Sequence, residues 1–242
     1  GARVPRRLLS VAIVAYGLSA VFYAAVPDAA GHFPSVYDLG LFVFYPLMIA
    51  ALVPFVRAWV ASSSAVAWVD CVAGALAAMT VGAAVVNSDL DSSVAVGQFA
   101  YLLGDLAILG FLVAAWALSG WRAATGMSSL AVAASALIVA DGVYAVSVDH
   151  GVRVPGTLSL MLWPAALLLI AFATFARRDL RPLASRSWSR VIVPASSAAV
   201  CVPIGFFSGR GNPAHVIAGV GVVLVLVRVI VSLVQNGRLL TV

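Results

Sequence analysis

Long apolar stretches recur along the whole chain, separated by short segments that collect most of its charged residues. Each stretch has roughly 18 to 23 residues, and a helix of that length, rising about 1.5 Å per residue, covers a hydrocarbon core of about 30 Å. The stretches are continuous and rich in Ala and Leu, whereas barrel strands alternate apolar and polar positions over about ten residues. The pattern therefore predicts an all-α, polytopic membrane helix bundle of about eight spans.

The predicted spans are residues 8–26, 36–56, 65–87, 95–118, 127–147, 156–176, 190–207 and 213–234. The seventh is the weakest, because it contains Pro194, Pro203 and a Ser-Ser pair, which a membrane helix tolerates only where neighbours satisfy the freed backbone groups. A kinked seventh helix and a total of seven spans are the alternatives there. The first span is too long and apolar for a cleaved signal peptide, so we expect the protein to retain it.

Arginine predicts the orientation, because cytoplasmic flanks of membrane helices gather positive charge. The chain has no lysine, and in the eight-span arrangement only two of its fourteen Arg, Arg153 and Arg210, fall on the outer side. Both termini are therefore predicted to face the cytoplasm, in a multi-pass protein of the plasma membrane surrounded by lipid. The twelve Arg on the inner side are Arg3, Arg6, Arg7, Arg57, Arg122, Arg177, Arg178, Arg181, Arg186, Arg190, Arg228 and Arg238.

Composition excludes several classes of function. Hydrophobic residues make up 63% of the chain and charged residues 10%, far outside the range of soluble domains. A retinal or pyridoxal Schiff base needs a lysine, which is absent, and no soluble-enzyme or metal-site motif occurs. We therefore predict no catalytic residue and no metal site, we name no cofactor, and we expect no nucleic-acid partner because the positive charge is spread along membrane flanks. Cys71 and Cys201 lie inside predicted spans, where we expect no disulfide.

A weak internal repeat relates the even-numbered spans. Tyr45-Pro46, Tyr101-Leu102 and Trp163-Pro164 stand at intervals of 56 and 62 residues, each in a helix predicted to run inward towards an Arg. The spacing indicates helical hairpins of about sixty residues as repeating units. Small residues permit close helix approach, and the candidate positions are Gly74, Gly82, Gly104 and Gly110.

Acidic residues inside predicted spans are the main functional signal, because a carboxylate at membrane depth is costly unless it is paired, protonated or hydrated. Asp105 is the deepest, Asp141 lies in the outer third of its span, and no arginine is predicted near either. Aromatic residues fall in the outer halves of the same set of helices. The sequence predicts an outward-opening pocket for an unknown small or lipidic ligand, lined by Asp105, Asp141, Tyr45, Tyr101, Tyr144 and Trp163. The alternative is that the acids make helix-packing hydrogen bonds and the rings form an interfacial belt.

Asp70 and Asp38 are predicted to have structural roles. Asp70 is predicted near the inner end of its helix, where Arg57 or Arg122 is available as an ion-pair partner. Asp38 begins a predicted helix, at the place where a capping residue is expected.

Three segments carry a resemblance to a known family: residues 100–108 (Ala-Tyr-Leu-Leu-Gly-Asp-Leu-Ala-Ile), 140–144 (Ala-Asp-Gly-Val-Tyr) and 155–164 (Pro-Gly-Thr-Leu-Ser-Leu-Met-Leu-Trp-Pro). Together they resemble the N-terminal multi-span region of actinobacterial GGDEF and EAL signalling proteins, over about residues 35 to 240. The resemblance implies a sensory or regulatory domain that controls a cytoplasmic domain making or degrading cyclic di-GMP. No GGDEF or EAL sequence is present and the numbering starts at Gly1, so we expect a trimmed chain that performs no chemistry by itself.

The resemblance also implies a division of the chain and a role for its end. Residues 1–234 would be the integral membrane domain, and residues 235–242 the start of a cytoplasmic linker helix. Leu226, Ile230, Leu233 and Leu240 recur at helical steps, although Gly237 interrupts the series. The expected relay residues are Arg228, Leu233 and Leu240, and we expect a homodimer through the last span and the tail.

Two other functions stay open. Intramembrane Asp residues, helical repeats and Pro-containing segments are also typical of a small transporter or channel. Faces of small residues are typical of a membrane scaffold or a subunit of a larger complex, which needs no pocket. A long cytoplasmic domain after Val242 would distinguish the sensor, and co-purification with a partner would distinguish the subunit.

Overall fold

The structure is a computed structural model that describes residues 3–26, 33–59, 65–85, 93–121, 125–149, 158–175, 189–208 and 212–239. These residues form eight α-helices and no strand, so the all-α prediction is confirmed for the part of the chain described. The helices are α1 (Arg3–Ala25), α2 (Asp38–Trp59), α3 (Ala65–Val85), α4 (Ser93–Leu118), α5 (Thr125–Asp149), α6 (Leu158–Phe175), α7 (Ser189–Phe207) and α8 (Pro213–Leu239).

Five of these helices are long and apolar enough to cross a membrane, which supports the prediction of a membrane protein. Their apolar segments are Val4–Tyr23, Val66–Val85, Val96–Leu118, Gly126–Tyr144 and Pro213–Val234. The apolar segments of α2, α6 and α7 are shorter, at Asp38–Pro54, Met161–Phe175 and Val191–Phe207. The eight-span count, the cytoplasmic termini and the plasma membrane location stay predictions.

Each predicted span coincides with one helix, and the differences lie at the ends. Helix α1 begins at Arg3 rather than at residue 8, because Arg is a good helix former that extends a helix beyond its apolar part. Helix α8 continues to Leu239, beyond the predicted limit at residue 234. The predicted span ends at residues 86–87, 156–157 and 176 lie outside the described residues.

Helix α7, the weakest of the predicted spans, is a helix of 19 residues that contains both Pro194 and Pro203. Proline removes a backbone donor, so carbonyl groups one turn earlier need other partners. Ser196 makes a separate local hydrogen bond within the helix, donating its hydroxyl to the carbonyl of Val193 at 2.9 Å. The Ser-Ser pair is therefore compatible with the helix.

Contacts divide the chain into two compact units. Unit 1 comprises Gly1–Val56, Ser88–Ile108 and Ala124–Asp179, and unit 2 comprises Arg57–Asn87, Leu109–Ala123 and Leu180–Val242. Unit 1 therefore contains α1, most of α2, the first part of α4, α5 and α6. Unit 2 contains α3, the last part of α4, α7 and α8.

Two pairs of consecutive helices in unit 1, α1–α2 and α5–α6, run antiparallel. The ring of Tyr16 packs on Phe44, and that of the later residue Tyr23 packs on the earlier residue Tyr37. Helices α1 and α2 therefore run in opposite directions. Helices α5 and α6 are arranged in the same way, because Ser129 contacts Leu169 whereas the later residue Asp141 contacts the earlier residue Trp163. This agrees with the short connections of the predicted hairpins, although the hairpin repeat itself stays a prediction.

Small residues bring the helices of unit 2 close together. A Cβ atom added to Gly74 would lie 2.7 Å from the Cβ of Ala114, and one added to Gly110 would lie 2.7 Å from the Cβ of Ala78. The predicted close approach at Gly74 and Gly110 is therefore confirmed, while Gly82 stays a prediction. A small buried core of Ala77, Cys201 and Ala218 joins α3, α7 and α8. Cys71 and Cys201 are both buried free thiols.

Candidate functional site

Unit 1 gathers buried carboxyl groups and aromatic rings from five helices. We call this set the acid–aromatic cluster, and it includes all six residues predicted to line a pocket. Its members are Tyr23 of α1, Asp38 and Tyr45 of α2, Tyr101 and Asp105 of α4, Asp141 and Tyr144 of α5, and Trp163 of α6. The structure thus brings the six predicted residues together, while their role in binding a ligand stays a prediction.

Helical spacing explains how single helices present two members of the cluster. Tyr101 and Asp105 are four residues apart, and Asp141 and Tyr144 are three apart, so each pair shares one helix face. Asp105 and Asp141 are only 1% and 8% exposed. The predicted depth of Asp105 in its helix therefore corresponds to complete burial.

Tyr45 connects α2 to α4. Its hydroxyl lies 3.1 Å from Oδ1 of Asp105 and 3.1 Å from the carbonyl oxygen of Tyr101, and its single hydrogen is shared between these two acceptors. The rings of Tyr45 and Tyr101 are stacked, with centroids 6.4 Å apart and planes 13° apart. Gly104 makes room for this arrangement, because a Cβ atom there would lie 2.6 Å from the Tyr45 ring. Gly104 was predicted as a site of close approach, and this is confirmed.

Asp141 of α5 accepts a hydrogen bond from α6. The indole Nε1 of Trp163 donates to Oδ1 of Asp141 at 2.7 Å, a short distance that is typical of a strong hydrogen bond. The Trp163 ring packs against Tyr144 with centroids 5.6 Å apart. The Tyr144 hydroxyl in turn lies 2.8 Å from the hydroxyl of Tyr23, which connects the cluster to α1.

The two carboxyl groups at the centre lie within hydrogen-bonding reach of each other. Oδ1 of Asp105 accepts from Tyr45 and Oδ1 of Asp141 accepts from Trp163. Oδ2 of Asp105 is buried and receives no hydrogen bond from a donor group among the described residues. No ion pair joins either acid to a cation in the described part of unit 1.

Asp38 occupies the first turn of α2, where a cap was predicted. Its Oδ2 accepts from the backbone N–H of Ser35 at 2.5 Å, so the carboxylate reaches back as the third residue of a capping box does. Its Oδ1 also accepts from the hydroxyl of Tyr101 on α4. This second role was missed, because the two residues are 63 positions apart and no local spacing relates them.

Tyr23 was also missed as a member of the cluster. It lies in the last turns of α1, near the predicted end of the first span, where an aromatic residue is normally interpreted as part of an interfacial belt. The only signal in the sequence was its position at the outer end of a span, together with Tyr45, Tyr101 and Tyr144. Its hydroxyl contact with Tyr144 depends on tertiary structure alone.

Unit 2 holds the only ion pair that the structure describes. Asp70 of α3 pairs with Arg228 of α8, with Nε 2.9 Å from Oδ1, a partner that was not predicted. Helices α3 and α8 run antiparallel, since Leu76 lies beside Gly221, and this places Asp70 against Arg228. The side chain of Arg57 and all of Arg122 lie outside the described residues.

The three predicted relay residues have different surroundings. Arg228 is tied into unit 2 by Asp70, and its Nη1 also donates to Ser232 at 3.2 Å. Leu233 is 65% exposed, so it does not contribute to the core of the unit. Leu240 lies outside the described residues. The relay role and the dimer through this helix stay predictions.

The acid–aromatic cluster offers carboxyl oxygens, hydroxyl groups and ring faces, but no positively charged side chain among the described residues. Such a set accepts protons or cations and excludes anions. No protein-family model, curated protein or solved structure matches this chain.

Proposed function

We propose that the chain is a transmembrane sensory or regulatory domain in which the acid–aromatic cluster is the ligand site. One observation carries the proposal: five helices place buried acids and aromatic rings together in unit 1, and one carboxyl oxygen of Asp105 has no donor among the described residues. Asp105 and Asp141 are intramembrane acids under this proposal, and such acids are typical of functional sites.

The unpaired oxygen distinguishes a site from simple packing. In a network that serves packing alone, the large majority of buried polar atoms have a partner, because an unsatisfied buried group opposes folding. Tyr45, Trp163 and Tyr101 each satisfy one acceptor of the cluster, and Oδ2 of Asp105 is left over. The cluster therefore retains a binding capacity that helix packing does not use.

Helix α4 supplies a route for the signal under this proposal. Its residues 93–108 belong to unit 1 and include Tyr101 and Asp105, while its residues 109–118 belong to unit 2. Unit 2 also contains α8, which Arg228 fixes to α3. A shift of α4 on ligand binding is the first step of the signal under this proposal.

The resemblance to GGDEF and EAL proteins supports the nature of the output. Under the proposal, α8 and the linker beginning at residue 235 join a cytoplasmic domain that synthesises or degrades cyclic di-GMP. The active form would be a homodimer through the last span and the tail, where Leu226, Ile230 and Leu233 are exposed on α8. An exposed apolar surface in a membrane is equally suited to lipid, so the dimer is supported by the resemblance and not by this surface.

The test uses the full-length gene product in its native membranes. First, its intact mass should exceed 24.9 kDa by the mass of a cytoplasmic domain. Second, Asp105→Asn should change cyclic di-GMP turnover, because it alters the centre of the cluster. Thr174→Val is the matched control, since among the described residues the Thr174 hydroxyl donates to the carbonyl of Ala171 in its own helix and lies outside the cluster. A native mass near 24.9 kDa would contradict the proposal, as would equal effects of the two substitutions.

A small proton-coupled transporter is the second candidate, and the adjacent buried acids Asp105 and Asp141 favour it. Proline residues in α2, α6 and α7 also fit the interrupted helices of transporters. The test is proton uptake into liposomes containing the protein. Uptake driven by a membrane potential, and lost in Asp141→Asn, would support this function over the sensor.

A further inference from the structure

Two carboxyl groups lie together at the centre of the acid–aromatic cluster, and the described hydrogen-bond donors do not satisfy all of their oxygens. Oδ1 of Asp105 takes the hydroxyl hydrogen of Tyr45, and Oδ1 of Asp141 takes the indole hydrogen of Trp163. Oδ2 of Asp105 is buried without a donor among the described residues, and the carboxyl groups of Asp105 and Asp141 are close enough for a side-chain hydrogen bond between them. Two ionised carboxylates present only acceptors to each other, whereas a proton on either one creates a hydrogen bond.

The groups around this pair supply no compensating charge. The titratable side chains within electrostatic reach are Tyr16 of α1, Tyr45 of α2, Tyr101 of α4 and Tyr144 of α5, and α6 contributes Trp163. Tyrosine and tryptophan are uncharged donors, so they stabilise one ionised acid but do not neutralise two. The described helices of unit 1 place no Arg in contact with the pair.

We propose that Asp105 and Asp141 together bind one proton, held between the two carboxyl groups. This inference rests on the proposed function and deepens it, because it names the proton as a ligand of the acid–aromatic cluster. The proton supplies the one hydrogen bond that the cluster lacks. Its loss leaves two negative charges on α4 and α5 facing each other, which favours separation of the two helices at this depth.

Infrared difference spectroscopy on the full chain in membranes tests the site directly. A protonated carboxyl group has a C=O stretching band that is distinct from carboxylate bands and shifts in D2O. We expect this band in the wild-type protein and its loss as the pH is raised. We also expect its loss in both Asp105→Asn and Asp141→Asn, in which the amide donates to the remaining carboxylate in place of the proton.

Asp70→Asn is the matched control, because Asp70 is a buried acid of unit 2 that lies outside the cluster and pairs with Arg228. It should leave the band in place. Absence of the band from the wild-type protein at every pH at which it stays folded would overturn the proton site, and so would a band that survives both Asp105→Asn and Asp141→Asn. The wild-type titration decides the question even if one variant fails to fold.

The same samples separate this proposal from the sensory function. A band that titrates as expected, while cyclic di-GMP turnover stays constant, would support the proton site and overturn its role as the sensed ligand. A missing band, with turnover changed by Asp105→Asn but not by Thr174→Val, would overturn the proton site and leave the sensory function standing.

Discussion

The two units each bury acidic residues, but they satisfy them in different ways. In unit 2, Asp70 pairs with Arg228, so the acid and its counter-ion lie within one set of helices. In unit 1, Asp105 and Asp141 face each other with only the neutral donors Tyr45 and Trp163. A buried acid with a fixed cation is a structural element, whereas an acid whose missing partner is a mobile proton can respond to its surroundings.

The largest effect is expected at the ion pair of unit 2. Arg228→Leu leaves the buried Asp70 without its cation, and removing one partner of a buried pair costs about 3–5 kcal/mol. The free energy of unfolding in detergent micelles, measured by denaturant titration, should fall by about this amount.

The double variant Asp70→Leu/Arg228→Leu is the control for that experiment. It removes both charges, so most of the lost stability should return, because an apolar pair of similar size carries no desolvation penalty. A double variant as unstable as Arg228→Leu would show that Asp70 and Arg228 do not stabilise α3 and α8 as a pair.

The second effect concerns the space for Tyr45 in unit 1. Gly104→Ala puts a Cβ atom 2.6 Å from the Tyr45 ring, which must move away from Asp105. We expect a loss of about 1–3 kcal/mol of unfolding free energy, the usual cost of overpacking. Gly142→Ala is the matched control, since a Cβ atom there meets nothing within 4 Å and should stabilise α5 by up to about 1 kcal/mol. Similar values for the two variants would contradict the packing of Tyr45 on α4.

The third effect is the loss of a single donor. Trp163→Phe keeps an aromatic ring against Tyr144 but removes the N–H that donates to Asp141. We expect a cost of about 1–3 kcal/mol, because a buried acceptor loses its partner. The same substitution combined with Asp141→Asn should cost less than the sum of the two single changes, and strict additivity would contradict direct contact between these side chains.

The smallest effect on stability is expected for Asp105→Asn. The amide has nearly the shape of the acid, and it donates to Asp141 as the shared proton does, so unfolding free energy should change by less than about 1 kcal/mol. The dependence of stability on pH should however become weaker. An Asp105→Asn protein with the pH dependence of the wild type would contradict the role of Asp105 in the pair.

Hydropathy was sufficient to locate all eight helices, because long continuous apolar runs rich in Ala and Leu favour helices over strands. The grouping of Tyr45, Tyr101, Asp105 and Asp141 could also be anticipated, since each polar residue at similar depth in a bundle tends to face the interior. These predictions use only the position of a residue along its own helix.

Partners across the bundle could not be predicted in the same way. Arg228 lies 158 residues from Asp70, and its pairing depends on α8 lying antiparallel to α3. Tyr101 and Asp38, or Tyr23 and Tyr144, meet only because of how their helices pack and rotate. Sequence spacing fixes which residues share a helix face, but it contains no information on which other face lies opposite.

The most direct test of the proposed sensory function is cyclic di-GMP turnover, the activity proposed for the full-length protein, measured in native membranes as the pH is changed. We expect wild-type turnover to change with pH beyond the response of the Asp105→Asn protein, because the variant carries a fixed hydrogen-bond donor where the wild type carries an exchangeable proton. Parallel pH profiles for the two proteins would contradict the claim that the Asp105–Asp141 pair is the sensing site.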